Sequence, residues 1–226
     1  NPMSVNGWLK PCKQKMPIRG GQQQHSILRG LANPRVLALA LIYFGTSAGL
    51  YTLGIWAPQI IKELGVSSMT VGLLNAIPPI ISVVAMILWS RHSDKTNERT
   101  WHVALACLTA AVGLAIAAST GSMFGLIAAL TIVNVGISCS KPPLWSMPTM
   151  FLSGAAAATG IATINSIGNL GGFAGPAMIG WVKDQTGSFA GGLYFVAGLL
   201  ILSTVLTLVL SFTQKNKANS AELSNS

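Results

Sequence analysis

The sequence predicts an all-α membrane protein of six transmembrane helices, and three observations carry that reading. Of the 226 residues, 51% are hydrophobic and only 8% are charged, whereas a soluble domain carries about a quarter charged residues. Six apolar stretches approach or exceed about 18 residues, the length that crosses a bilayer as a helix. Runs such as 199–210 lack the alternation of a closed β-barrel, the only other spanning solution. The first 30 residues are polar and basic, without the apolar core of a cleavable signal peptide. The first span is therefore expected to act as its own signal. The chain begins at Asn1 rather than Met, and further sequence upstream is expected.

The spans run over residues 36–58, 71–89, 101–118, 123–152, 155–181 and 191–212. Together they make one membrane domain, 36–212. It lies between a basic cytoplasmic segment, 1–35, and a polar cytoplasmic tail, 213–226. The loops are too short to fold, so no soluble catalytic module is expected. In the first span Tyr43, Ser47 and Tyr51 recur every four residues and form a stripe of hydroxyls, with Tyr51 the deeper cavity candidate. In the second, Asn75, Pro79 and Ser82 share a face and Pro78 adds a kink. The third and sixth are nearly uniform in Ala, Leu, Val and Ile.

The fourth span carries the most chemistry. Asn134, Ser138, Lys141, Trp145 and Thr149 share one helical face. Pro142 and Pro143 follow Lys141 and remove backbone donors, disturbing the helix there. A lysine inside an apolar span costs a few kcal/mol (roughly 3) on insertion scales, and is kept where a counter-charge meets it. No acidic residue lies in any span, because Glu63, Asp94, Glu98, Asp184 and Glu222 all fall in loops or tails. An anionic substrate would supply the charge; snorkelling, or carbonyls freed by the prolines, would serve instead. In the fifth span Asn165 and Asn169 lie one turn apart. Gly168, Gly171, Gly172, Gly175 and Gly180 allow close packing, and Pro176 invites a bend. Asn165 reads as a cavity residue and Asn169 as a packing residue. Spans one, two, four and five thus read as lining and three and six as peripheral. That order makes two similar three-helix units, as in nested transporter repeats.

The net charge of +9 is distributed asymmetrically. Lys10, Lys13, Lys15, Arg19, Arg29 and Arg35 precede the first span, Arg91, Lys95 and Arg99 occupy the second loop, and Lys215 and Lys217 the tail. The alternate loops hold only Lys62 and Lys183. This is the positive-inside bias, and it puts both termini in the cytoplasm. It also removes nucleic acid as a partner. Cys12, Cys107 and Cys139 are too scattered for a metal or disulfide framework, and no cofactor is expected. The loop from Arg91 to Arg99 is a candidate gate: Asp94 among bases near helix ends could latch neighbouring helices and release as the bundle rocks.

Two stretches resemble a known family. The loop is similar to the cytoplasmic Gly-x-x-x-Asp-Arg pattern of the major facilitator superfamily. Asp94 matches the aspartate, Lys95 stands for the arginine and Arg99 for the trailing base, while Trp89 or Ser90 departs from the glycine. The stretch KPPLWSMPTMFLSGAAAATGIATINSIGNLGGFAGPAMIGWVKDQTGSF, residues 141–189, resembles helices ten and eleven of its anion:cation symporter branch. That branch includes bacterial tartrate, phthalate and sugar-acid permeases. The resemblance covers roughly residues 31–212. It implies the last six of twelve helices, alternating access, and proton-coupled uptake of a small carboxylate across the bacterial inner membrane. It also implies substrate contact by Trp145 and Asn165 and a polar cavity position at Tyr43. The segment Trp8-Leu9-Lys10-Pro11-Cys12-Lys13 begins like the family's central loop but lacks its acidity, so 1–35 is expected to be a remnant of that loop. A fragment inactive alone, lacking an amino-terminal six-helix half, is the expectation. The alternative is a self-sufficient six-helix carrier or channel acting as a homodimer. An intramembrane serine protease lacks support: Ser153-Gly154 follow Phe151-Leu152 rather than a Gly-x-Ser-Gly pattern, and His25, His92 and His102 lie outside span interiors.

Overall fold

The computed structural model describes residues 33–223, with the backbone alone at 155 and 214–223. The expected basic segment and the last tail residues thus lie, but for 33–35, outside the described residues. Six long helices account for the fold: α1 Pro34–Lys62, α2 Ser68–Thr96, α3 Thr100–Ser119, α4 Met123–Ser146, α5 Gly154–Thr186 and α6 Ala190–Leu223. A short 3₁₀ turn, Pro148–Met150, links α4 to α5. Local chemistry sets the ends. Asn33 caps α1 through the Arg35 amide at 3.0 Å, with Pro34 at the first helical position. Ser67 and Ser122 cap α2 and α4 in the same way. Gly187 closes α5 at φ 72°, a left-handed conformation open to glycine at little cost.

Three helix ends differ from the sequence expectation. The charged loop is mostly helix: α2 runs on to Thr96, so Arg91, Asp94 and Lys95 occupy its last turns and the connection is 97–99. No Gly or Pro interrupts the chain there, and the helix stops only at Asn97, in the left-handed region at φ 53°. The fourth helix passes through Pro142 and Pro143 and stops at Ser146: Met147 keeps helical dihedrals, but Pro148 has no amide hydrogen to continue the ladder and the chain tightens into a 3₁₀ turn. Thr149 therefore leaves the shared face and bonds back to the Ser146 carbonyl at 2.9 Å. The last helix continues into the expected tail, as far as Leu223. Five helices are long and apolar enough to cross a membrane by length and composition. The exception is α5, whose 33 residues are diluted by Gly, Asn, Ser and Thr.

The tightest seam joins α1 and α5, which run parallel. Gly168 lies under the Tyr43 ring, Gly171 against the Phe44 carbonyl and Gly175 against the Ala48 backbone. A Cβ at 171 would collide with the Phe44 carbonyl oxygen, so this approach of two backbones requires glycine. Polar bonds pin the other contacts. Trp56 donates to the Pro176 carbonyl at 3.0 Å, Ser203 of α6 to the Ile42 carbonyl of α1 at 3.3 Å, and Thr204 to Ala104 of α3 at 3.4 Å. Leu114, Leu130, Ile137, Ile179 and Leu200 fill the core between.

The covering of the helices is not what their polarity suggested. Helices α3 and α6, expected to be peripheral, pack extensively on each other, and α3 also on α4 and α6 on α1. By contrast α2, expected to line a cavity, has only 17% of its most apolar stretch buried. Met69, Leu73, Ile80 and Leu88 stand open on it. A contiguous apolar face of this kind suits hydrocarbon or another protein segment, not water.

Candidate functional site

The expected site residues fall into one cluster, two neighbours and a separate turn. The cluster forms where α1, α4 and α5 converge. The Tyr43 ring meets the Trp145 ring edge-on, with centroids 4.9 Å apart and planes at 68°. Its other side is closed by Gly168 of α5. Behind the pair, Ile42, Leu144 and Ile164 are buried and hold both aromatics in place. Lys141 lies one helical turn before Trp145 on the same face of α4 and is half-buried. Among the described residues it has no ion-pair partner and no hydrogen bond, since the two ion pairs there are Arg99–Asp94 and Lys183–Glu63. Pro142 and Pro143 remove the i+4 donors of the Ser138 and Cys139 carbonyls, and no bond from Lys141 reaches either.

Asn165 and Asn169 are both exposed and bond to each other, Nδ2 to Oδ1 at 3.1 Å, rather than to a neighbouring helix. Asn165 precedes Gly168 by one turn, on the open side of the seam that carries Tyr43. Tyr51 is separated from the cluster: its ring covers Gly172, two turns further along the same seam, and it is 47% exposed. The hydroxyl stripe is therefore split, since Ser47 between the tyrosines is buried.

The candidate gate sits apart. The Arg99 guanidinium donates to the Asp94 carboxylate, joining the end of α2 to the start of α3. Ser93 donates to the Glu98 carbonyl at 2.9 Å across the same turn. Arg91 and Lys95 are exposed. Beside them His92 Nδ1 and His102 Nε2 lie 2.8 Å apart, and Trp89 packs edge-on against His102. The Arg99–Asp94 pair lies within the turn of one α2–α3 hairpin.

Sequence reasoning placed Asn75 and Asn134 on polar faces without joining them. The structure brings them to one cavity of about 270 Å³ between α1, α2 and α4. The signal was available in the paired prolines of α2, which mark a helix whose backbone is partly unsatisfied.

Comparison with known proteins fits this geometry. A model of the Major Facilitator Superfamily matches residues 9–176. Two Agrobacterium vitis proteins, each named as a proposed tartrate transporter, are 70% and 69% identical to the chain. These matches extend over 91% and 90% of the chain and 48% and 45% of the relatives. A quinolone resistance transporter of Acinetobacter baumannii is 36% identical over 89% of the chain and 47% of its own length. The chain thus spans about half the length of the curated relatives it matches.

Proposed function

The chain belongs to the Major Facilitator Superfamily, and from that premise we propose that it is the carboxyl-terminal half of a proton-coupled organic-anion transporter. Its cargo would be a small carboxylate of the tartrate or sugar-acid kind, which the naming of the two A. vitis relatives supports. One observation carries the reading: Lys141 lies within a membrane-spanning helix and has no anionic partner among the described residues. A cation at that depth with every carboxylate placed elsewhere is completed by an anion that arrives from outside the chain. Trp145, held by Tyr43, gives the carbon skeleton a flat wall, and Asn165 offers an oriented hydrogen bond. Tyr51 lines the approach along the α1–α5 seam. The turn with Arg91, Asp94, Lys95 and Arg99 clamps α2 to α3 as the halves rock.

An amino-terminal six-helix half would cover the open faces of α2 and α5 and supply the carboxylates that carry protons, since no described span of this chain holds one. A second copy of this chain could cover α2 as well, but would bring no such carboxylate. The distribution of basic residues supports both termini on the cytoplasmic side of a bacterial inner membrane, with 36–212 as the membrane domain.

The test is binding and uptake with the same chain. In lipid nanodiscs, ligand-observed NMR reads millimolar affinities, as expected of half a cavity. Wild type should bind tartrate, and Lys141→Ala should weaken it about tenfold or more, the range of a charge-assisted hydrogen bond. Absence of binding by wild type, or equal binding by Lys141→Ala, would overturn the reading. In proteoliposomes the chain alone should show no accumulation driven by a proton gradient; gradient-driven accumulation would establish a self-sufficient carrier instead.

A further inference from the structure

Two histidines meet where α2 turns into α3, away from Lys141 and Trp145. His92 of α2 is exposed and His102 of α3 is buried, with His92 Nδ1 lying 2.8 Å from His102 Nε2. The Trp89 indole donates to the His102 carbonyl at 3.3 Å, and its ring packs edge-on against the imidazole with centroids 5.0 Å apart. The remaining nitrogen, His102 Nδ1, is buried and has no hydrogen-bond partner among the described residues. Beyond the turn α2 packs mainly on α4 and α1, so contacts at the turn fasten it to α3.

Proton counting fixes how such a pair responds to pH. A neutral imidazole carries one proton and an imidazolium two. A hydrogen bond between the rings needs one proton, and only one, between the facing nitrogens. In the neutral pair a single proton then remains for the two outward nitrogens. It belongs on His92 Nε2, whose ring is exposed, because a buried N–H without an acceptor is costly. His102 therefore donates its Nε2–H to His92 Nδ1, and its own Nδ1 stays bare. Uptake of one more proton with the bond kept would fill both outward nitrogens. That puts an N–H on His102 Nδ1, where no acceptor among the described residues meets it. The less costly course is for His92 Nδ1 to take the proton. The bond then breaks, the His92 imidazolium turns to water, and His102 stays neutral.

We propose that His92 and His102 form a proton-sensitive fastener of the α2–α3 turn, closed when both rings are neutral and released when the pair takes up a proton. The bond stabilises the turn at higher pH and is lost as pH falls across the range, about pH 5 to 8, in which imidazoles change charge. Charged neighbours do not take over its role. Asp94 is engaged by Arg99, and Arg91, Lys95 and Glu98 of the same hairpin are exposed. On the helices packed against α3, the charged residue of α4 is Lys141, which bonds to neither histidine, and those of α6 all fall in 214–223. Among the described residues, α4 and α6 thus bring no carboxylate to His102 Nδ1. In the orientation proposed above the pair meets the pH of the cytoplasm. Its release frees the end of α2, the helix whose apolar face its own chain leaves open. The inference does not depend on the anion reading of Lys141.

The test uses the chain in lipid nanodiscs, labelled with nitrogen-15 at histidine. At about pH 8, imidazole nitrogen shifts should show both rings protonated at Nε2 and bare at Nδ1. A His102 protonated at Nδ1 overturns the proposal. Amide hydrogen exchange over residues 89–98, corrected for the intrinsic pH dependence of exchange, reads the turn itself. In wild type, protection should fall about tenfold between about pH 8 and about pH 5.5. His92→Asn places an amide oxygen where Nδ1 stood, so it accepts from His102 and takes up no proton. Its protection should be equal at the two pH values. His102→Phe lacks the bond and should be weakly protected at both. Wild-type protection that does not change with pH would overturn the fastener. So would an asparagine variant that loosens in acid as the wild type does.

Discussion

Charge is handled in opposite ways at the ends of the bundle and in its middle. At one end the Arg99 guanidinium meets Asp94, and at the other Lys183 meets Glu63 and lies 4.2 Å from the Phe189 ring centroid. One ion pair thus closes within the chain at each end, although Arg35, Lys62, Arg91 and Lys95 form none among the described residues. In the middle, Lys141 has an aromatic pair one turn away and no carboxylate at all. Its desolvation is therefore not offset by anything the described residues contain, whereas the end pairs are partly hydrated and individually dispensable. That difference, a buried cation without a counterpart against exposed ones in water, is what supports the anion contact proposed for Lys141.

Reversing the middle charge should have the largest effect. Lys141→Glu removes the attraction and adds a repulsion, so tartrate binding in nanodiscs should fall by about 100-fold or below detection, equivalent to roughly 2–3 kcal/mol. Lys183→Glu is the matched control at the end of the bundle, and should change binding by less than about twofold because Lys183 touches no cavity named here. Equal losses in the two variants would erase the contrast and point to a general surface-potential effect.

An intermediate effect is expected at the aromatic pair. Trp145→Ala removes the wall that Tyr43 supports, and an edge-on pair is worth about 1 kcal/mol beyond its buried area. Binding should weaken about fivefold, while Trp145→Phe, which keeps a ring against Tyr43, should lose about twofold or less. Equal losses in the phenylalanine and alanine variants would show that Trp145 acts through its indole N–H, which both remove, rather than its face.

Much of this was legible in the sequence, for identifiable reasons. Helices cross a bilayer under one dominant constraint, so apolar length located five of them within a few residues, and the glycines of α5 marked it as a close-packing helix without naming its partner. The stripe logic placed Lys141 and Trp145 on one face of α4, and their proximity to Tyr43 follows from how α1 packs. Three things stayed hidden. Helix ends depend on local hydrogen bonds: α2 extends through Asp94 because nothing before Asn97 stops it, and α4 outlives two prolines but not a third. Tyr51 shared a stripe with Tyr43, yet a stripe 12 Å long by helical rise (about 1.5 Å per residue over eight residues) need not face one cavity. The pairing of Asn75 with Asn134 needed the relative rotation of α2 and α4, which no single-helix pattern encodes. Polarity also misjudged covering, because α2 is apolar all along the face that its own chain leaves open.

The smallest effect should come from the latch itself, and that is its diagnostic value. Asp94→Asn removes one charge from the contact with Arg99 while keeping the hydrogen-bonding shape. The Asp94 side chain is 64% exposed, so solvent already screens most of the attraction, and exposed pairs of this kind contribute about 0–1 kcal/mol. Ser93, bonded to the Glu98 carbonyl, and Trp89, bonded to the His102 carbonyl at 3.3 Å, keep the α2–α3 turn closed without the ion pair. Unfolding of the variant in mixed micelles should therefore shift by under about 0.5 kcal/mol, with tartrate binding unchanged within about twofold. The small remaining effect should shrink further on raising salt, because screening acts on exposed charges first. A loss of binding comparable to that of Lys141→Ala would mean that the turn reports on the occupied cavity even within this half. The latch would then be coupled to the site through α2, and the contrast between balanced ends and unbalanced middle would fail at its most exposed point.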